Sequence, residues 1–508
     1  MKKYFLLIAL TIWWSGESLA QAPNVDLKAL DSYFERITKE WDVPSMSIGI
    51  VKDGKLVFAK AYGVKEVDKK GKPDQNTLYA IASNSKAFTS AILAQLVDEG
   101  KIDWNDKVRD YLPYFELYDS WVSANTTIRD ILSHRVGLGT FSGDVIWYKA
   151  DLTAEEIVRK VKNLPPAFDF RAGYGYSNLM YITAGEVIEK VTGKSWAQNV
   201  KERILQPLEM NRTITSPKNL ESVGNYATPH ARNDGKNIPI VWEDWEEIGA
   251  LGGLISSVSD LSKWMIMNMN HGINNQDTLF SARSRNMMWT PHNNFTVDHV
   301  NPNDFNRHFS AYGLGWGLSD YQGNLRVGHT GGYDGMLTAF NMIPDQKLGV
   351  IVLTNGMKSP MMAATYYALD KFLGVNGPDW SERFLSRSGP EEDERITERK
   401  ASRVEGTNPS LELSKYTGTY EADIYGEITV TLEKGELRLN FEHAKSLSAT
   451  LKHWHYDVWE IDWDIEHAWF SFGTVQFNMD NNLKIERMTF DVPNDDIFFE
   501  ELIPIRVD

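Results

Sequence analysis

The 508 residues exceed what one hydrophobic core usually sustains, so two or three domains are expected. A net charge of −16 opposes binding to nucleic acid or an anionic lipid surface, while a 42% hydrophobic content suffices for packed interiors. The lack of cysteine excludes disulfides, thiolate metal sites and thiol catalysis.

The first twenty residues, MKKYFLLIALTIWWSGESLA, run from two lysines through an apolar stretch, Tyr4 to Trp14, to Ser18-Leu19-Ala20. That order is the pattern of a secretory signal peptide, expected to be cut after Ala20. The apolar stretch is too short to span a bilayer, so a periplasmic or secreted protein without a membrane span is expected. Leu27, Leu30, Tyr33, Phe34 and Ile37 then fall at helical spacing, and Pro44 closes the helix. SMSIGIVKDGKLVFAKAYG reads as two strands joined at Asp53-Gly54, a two-residue hairpin signal. Ser83 precedes a helical run through Phe88, Ile92, Leu93 and Leu96 that stops at Gly100.

From Val108 to Leu279 the pattern is mostly helices and loops, including a helix ending at Gly193 and another with a cap near Ser259. Strand chemistry returns in NLRVGHTGG, GMLTAFNMI and LGVIVLTNG, followed by the helix SPMMAATYYALDKFLG. Strands at both ends with helices between predict one sheet flanked by helices, with a helical insertion at its edge. Residues 376–410 are charged and dotted with glycine and proline, as a linker is. Period-2 alternation follows: Ile428, Val430 and Leu432, a turn at Lys434-Gly435, then Leu437, Leu439 and Phe441. The expected division is a signal peptide at 1–20, a main body at 21–375, the linker, and a small antiparallel β-barrel or sandwich at 411–508.

Three stretches carry chemistry. Ser83 and Lys86 lie three apart, on one face of a helix. A serine hydroxyl is a poor nucleophile unless a base takes its proton, and a desolvated amine can do so. The same Ser-x-x-Lys also fits a helix cap followed by a surface lysine. Tyr176 and Asn178 stand just before a helix, the first able to move a proton, the second able to donate to and accept from an amide. His329-Thr330-Gly331-Gly332 stands on a strand where small residues let a substrate backbone approach, and the Gly332 N–H could face an oxyanion.

In order and spacing, Ser83-x-x-Lys86, Tyr176-x-Asn178 and His329-Thr330-Gly331 resemble the three motifs of the serine β-lactamase-like family. That family holds class C β-lactamases, serine D,D-carboxypeptidases, D-aminopeptidases and related esterases. The resemblance covers residues 25–375 and includes ILSHRVGL, YGLGWG and GALGGLISSVSDLSKWM. It implies an α/β (α+β) fold: an antiparallel sheet flanked by helices, plus a mostly helical subdomain. It implies that Ser83 forms an acyl-enzyme, that Lys86 and Tyr176 move the proton, and that Asn178 holds the substrate amide. His329, Thr330 and Gly331 would contact substrate, and the N–H groups of Ser83 and Gly332 would form the oxyanion hole. No cofactor or metal is implied.

Class C β-lactamases have lysine where this chain has His329, and a histidine grips an anion less firmly as pH rises. The resulting expectation is an exported hydrolase of small peptides containing D-amino acids, with amide bonds as its target. A carboxylesterase or β-lactamase on the same scaffold, and a penicillin-binding sensor that does not turn over, are the alternatives. The C-terminal segments YTGTYEADIYGEITVTLEKGELRL and LKHWHYDVWE resemble the lipocalin-like domain attached to many such peptidases. It is expected to cap the cleft or to build a homo-oligomer.

Other residues invite attention. His134 is expected to bond nearby turn backbone. His453 and His455 could share a strand face, but no third metal ligand accompanies them. The acidic, aromatic run Trp242–Gly249 and Asp334 are candidates to lie over the cleft and favour a cationic amine, or simply to be solvated.

Overall fold

The computed structural model describes residues 25–275, 277–298, 305–387 and 394–508. The signal-peptide reading at 1–20 lies outside the described residues. Among these residues, no helix is long and apolar enough to cross a membrane.

The elements that frame the site are, in chain order, α1 (Leu27–Glu40), β1 (Ser45–Lys52), β2 (Lys55–Gly63), α2 (Lys86–Asp98), α3 (Ile128–Leu132), α4 (Asn178–Thr192) and α5 (Val258–Met269). They continue with β3 (Asn293–Phe295), β4 (Ser310–Tyr312), β5 (Gly317–Tyr321), β6 (Asn324–Tyr333), β7 (Met336–Ile343), β8 (Leu348–Thr354) and α6 (Met361–Leu373). The strands form one antiparallel sheet in the order β2-β1-β8-β7-β6-β5-β4-β3. The β1–β2 hairpin turns at Asp53 and Gly54, both in the left-handed region, as a tight hairpin requires. β1 pairs with β8, which joins the two ends of the body: Ile48 lies opposite Val352. Both strands are buried on both faces, because α1 and α6 cover one side and the helical insertion the other.

The α5 cap expected near Ser259 is Ser257, whose side chain accepts from the Asp260 N–H. Ser257 leaves its hydroxyl in extended backbone ahead of the first turn, where a cap works. Within the charged stretch, α7 (Trp380–Leu385) packs on the body: Trp380 is buried and its indole N–H donates to Asp370 at 2.7 Å. The helix is also tied to α1: Asp379 pairs with Arg36 at 2.6 Å, and Ser381 Oγ donates to Glu40 and accepts from the Trp41 indole, both at 2.9 Å, links that charge patterning hides.

The C-terminal strands β9 (Gly418–Ala422), β10 (Gly426–Glu433), β11 (Glu436–Phe441), β12 (Ala449–His455), β13 (Val458–Trp463), β14 (Thr474–Met479), β15 (Ile485–Asp491) and β16 (Ile505–Arg506) close into a barrel. Ile428, Val430, Leu437, Leu439 and Phe441 point inward, while Leu432, next to the hairpin turn, is exposed. Tyr416, Tyr420, Tyr425 and Phe499 fill the interior, so the barrel is a packed core rather than a ligand cup.

The barrel docks on the helical side of the body. The Glu501 carboxylate accepts from Ser142 Oγ and from the Gly143 N–H, both at 2.6 Å. The Asp151 N–H donates to the His443 carbonyl at 2.8 Å, and the Asn163 amide to the Asp423 carbonyl at 2.9 Å.

Candidate active site

Ser83 sits in a 3₁₀ turn, Ala82–Ser85, that leads into α2. Ala82 has φ +46°, a left-handed conformation that costs a residue bearing a Cβ. Ser85 occupies the cap position instead, and its hydroxyl accepts from the Leu254 N–H. Asn84 ties the turn to the sheet: its amide donates to the Ile81 carbonyl (3.1 Å) and to Thr338 Oγ1 on β7 (2.9 Å). On β6, Gly331 faces this turn. A Cβ there would lie 2.2 Å from the Ile81 carbonyl oxygen, so only glycine lets the strand and the serine turn approach.

The Lys86 side chain is fully buried. Its Nζ stands 2.9 Å from Ser83 Oγ, 2.7 Å from Asn178 Oδ1 and 2.8 Å from the Leu251 carbonyl. Burial pushes its pKa down to about 7, against the pull of the Asp144 charge. The rings of Tyr176 and Tyr181 flank it at 4.9 and 5.3 Å. Asn178 Oδ1 and the Leu251 carbonyl can only accept, so a neutral amine spends both N–H groups on them. Its lone pair is then left for the Ser83 hydroxyl.

Asn178 opens α4 and is engaged at both ends. Its Oδ1 takes the lysine, and its Nδ2 donates to Asp144 Oδ2 at 2.6 Å. In this arrangement it positions Lys86 rather than offering a free amide to substrate. Asp144 also accepts from the Trp147 indole at 2.8 Å, and burial pushes its carboxyl up to about 8. Tyr176 lines the cleft with its hydroxyl buried. Burial holds its pKa well above 10, partly offset by the Ser83 hydroxyl, so it keeps its proton.

His134 packs against the Tyr176 ring at 4.3 Å, and its Nδ1 accepts from the Ser177 N–H at 3.0 Å. Burial holds it neutral, and it shapes the Tyr176–Asn178 turn. His329 is neutral too, pushed down to about 4 by burial. Its Nδ1 lies 2.5 Å from the Thr330 carbonyl, which can only accept; Nδ1 therefore carries the proton, and Nε2 accepts from Tyr312 OH at 2.9 Å. The partial charge expected of this histidine near neutral pH is thus removed by desolvation.

Asp144, Tyr176, Asn178, Tyr312 and His329 line one cleft of about 490 Å³ with Ser83, Thr330 and Gly332. Sequence reasoning missed Asp144, for which FSGDVIW held no signal. It also passed over Tyr312 and Leu251, although both stood inside quoted segments, YGLGWG and GALGGLISSVSDLSKWM. The run Trp242–Gly249 does reach the cleft, through Trp245. Three of its four acids are engaged elsewhere: Glu243 pairs with Lys149 at 2.6 Å, and Asp244 and Glu246 pair with Lys218. Asp334 is buried and accepts from Tyr148 OH at 2.7 Å. His453 and His455 make local bonds to the Tyr456 carbonyl and the Val404 N–H. Among the described residues, no group of three metal-ligating side chains occurs.

The barrel completes the cleft with Trp469, Asp496 and Ile497. The Trp469 ring lies on Gly332, where a Cβ would come within 2.8 Å of it.

Comparison with known proteins agrees with this fold. The Beta-lactamase family model matches residues 30–373, and a domain of unknown function, DUF3471, matches 402–504. Unguisins hydrolase ungD' of Aspergillus campestris is 31% identical over 432 residues, 79% of this chain and 78% of its own length. Protein flp of Staphylococcus aureus strain MW2 is 26% identical over 350 residues, 65% of this chain and 64% of its own. Among solved structures, the octameric penicillin-binding protein homologue from Pyrococcus abyssi superposes with a TM-score of 0.62 at 24% identity, covering 95% of this chain and 100% of that one. SurE with D-Leu gives a TM-score of 0.52 at 19% identity, covering 94% of this chain and 99% of its own. The match over residues 30–373 contains the serine turn, its buried lysine and the third-motif strand, and the protein belongs to the β-lactamase family of serine hydrolases.

Proposed function

We propose that the protein is an exported serine hydrolase that cleaves amide bonds of small peptides through an acyl-enzyme, next to D-amino acids. The observation that carries the reading is the 2.9 Å contact between Lys86 Nζ and Ser83 Oγ, with the lysine desolvated toward neutrality.

Ser83 Oγ attacks the carbonyl as its proton passes to the Lys86 lone pair. The N–H groups of Ser83 and Gly332 receive the oxyanion. The C–N bond breaks as Tyr176, still protonated, gives its proton to the leaving amine and recovers one from the Lys86 ammonium. Water then attacks the ester and gives a proton to Lys86, and the C–O bond to Ser83 breaks as the Lys86 ammonium returns that proton to Ser83 Oγ, restoring the hydroxyl and the neutral amine. Lys86 is the base in this scheme, because a phenol held well above 10 is an acid.

Export rests on the charged, apolar, small-residue order of the first twenty residues. The D-amino-acid preference rests on His329 in place of lysine, and SurE, solved with D-Leu, has this fold. Fluorophosphonate or fluorescent penicillin should label the purified protein and not Ser83→Ala. Steady release of product from D-Ala-D-Ala peptides or D-amino amides supports the peptidase reading. Turnover of nitrophenyl esters alone makes it an esterase, and one-shot labelling without turnover makes it a sensor. No labelling at all would defeat the acyl-enzyme.

A further inference from the structure

Asp496 stands apart from the other acids around the cleft. It sits on the loop between β15 and β16 and lines the same cleft as Ser83. Among the described residues, no cation or hydrogen-bond donor is paired with its half-buried carboxylate. Glu243, Asp244 and Glu246 are held by lysines, Asp334 by Tyr148, and Asp144 by Trp147 and Asn178.

The loop is built to hold this position. Asn494 Oδ1 accepts from the N–H groups of Asp496 (3.0 Å) and Ile497 (2.6 Å), and its amide donates to the Val492 and Ile497 carbonyls, both at 2.8 Å. Glu501, five residues on, locks the same loop to Ser142 and Gly143 of the body. The walls nearby are aromatic: Trp147, Trp245 and Trp469 all line the cleft. Such rings favour a cation over a second anion, and an unpaired carboxylate in partly apolar surroundings is costly until a cation joins it.

We infer that Asp496, presented by the barrel to the wall of the cleft, binds a protonated amine of the substrate. The barrel thereby selects substrates by charge as well as by size. Burial pushes the carboxyl up to about 6, so it is an anion at neutral pH and above. The inference rests on the acyl-enzyme reading above. It adds a substrate class: small peptides carrying a free ammonium near the scissile bond, from either the α-amino group or a basic side chain.

The test compares wild type, Asp496→Asn and Asp496→Glu on matched substrates. One pair is a D-amino acid nitroanilide with a free or an N-acetylated amine; the other is N-acetyl-D-lysyl against N-acetyl-D-norleucyl nitroanilide. In Asp496→Asn, the kcat/KM ratio of the free-amine pair should fall by about tenfold or more, the loss typical of one half-buried charge contact, and Asp496→Glu should keep part of it. A fall in the lysyl pair instead assigns the subsite to a side-chain cation. Both ratios staying within about twofold of wild type would overturn the inference, since removing a charge contact costs more than that. Fluorophosphonate labelling of Ser83, run on each variant, reports the acyl-enzyme reading separately. Labelled protein with unchanged ratios sinks only the Asp496 subsite, whereas unlabelled wild type sinks the reading beneath it.

Discussion

Lys86 and Lys149 are both buried, and they could hardly differ more in company. Lys86, under the serine turn, meets a hydroxyl, an amide oxygen and a backbone carbonyl. Lys149, beneath the docked barrel, meets the Glu243 carboxylate at 2.6 Å and Asp334 at 4.0 Å. Neutral acceptors do not offset the desolvation of an ammonium; carboxylates do. Identical residue types therefore become an amine pushed toward neutrality in one place and an ion pair in the other, and the partner rather than the burial decides which.

The comparison can be broken at several points. The largest effect is expected from Ser83→Ala, which should lower turnover by about 10⁴ or more, read as kcat with residual labelling as control. Lys86→Ala should cost on the order of 10² to 10⁴ in kcat/KM, the usual worth of a general base. In wild type, kcat/KM should rise with pH through about 7, because Lys86 accepts a proton only when neutral and is protonated below that value. An acid limb that survives in Lys86→Ala would assign the titration to another group.

Lys149→Met tests the other lysine. It strands two acids under the barrel and should cost about 3–5 kcal/mol in urea unfolding, as breaking a buried pair does. A change below about 1 kcal/mol would mean that the pair is effectively solvated.

Lys86 also links stability to pH. The folded-state pKa of Lys86 lies below its ordinary 10.5, so the unfolded chain takes up the proton first as pH falls. The stability of wild type relative to Lys86→Met should therefore shrink by about 1.4 kcal/mol per pH unit between about 10 and 7, and no further below. The smallest effect belongs to Glu501→Gln. It weakens two charge-assisted bonds that dock the barrel, and a loss of about 1–2 kcal/mol with a few-fold rise in KM is expected from unfolding curves and kinetics.

Much of the fold was legible because it is periodic. Asp53-Gly54 and Lys434-Gly435 mark their hairpins, since both pairs adopt the left-handed backbone such turns need. Alternation at Ile428 to Phe441 marks a half-buried strand pair, and Gly193 marks the end of α4. Ser83, Lys86, Tyr176 and His329 were found as residue types at informative spacing, and the structure puts Ser83, Tyr176 and His329 on one cleft with the buried Lys86 against Ser83 Oγ. Less was legible where a role depends on a neighbour remote in the chain. Asp144 looks like any loop aspartate, and Asn178 looks like a substrate amide until its two ends are seen to be taken.

The one-dimensional pattern determined which stretches become helix or strand and which side chains are chemically able to act, because those follow from local backbone preference and functional groups. The three-dimensional packing alone decided charge and access. Desolvation set Lys86 and His329 toward neutrality, carboxylate neighbours made Lys149 a structural pair, and barrel docking brought Asp496 to the Ser83 cleft. Electrostatic free energy depends on distance and surroundings, and neither is written in residue order.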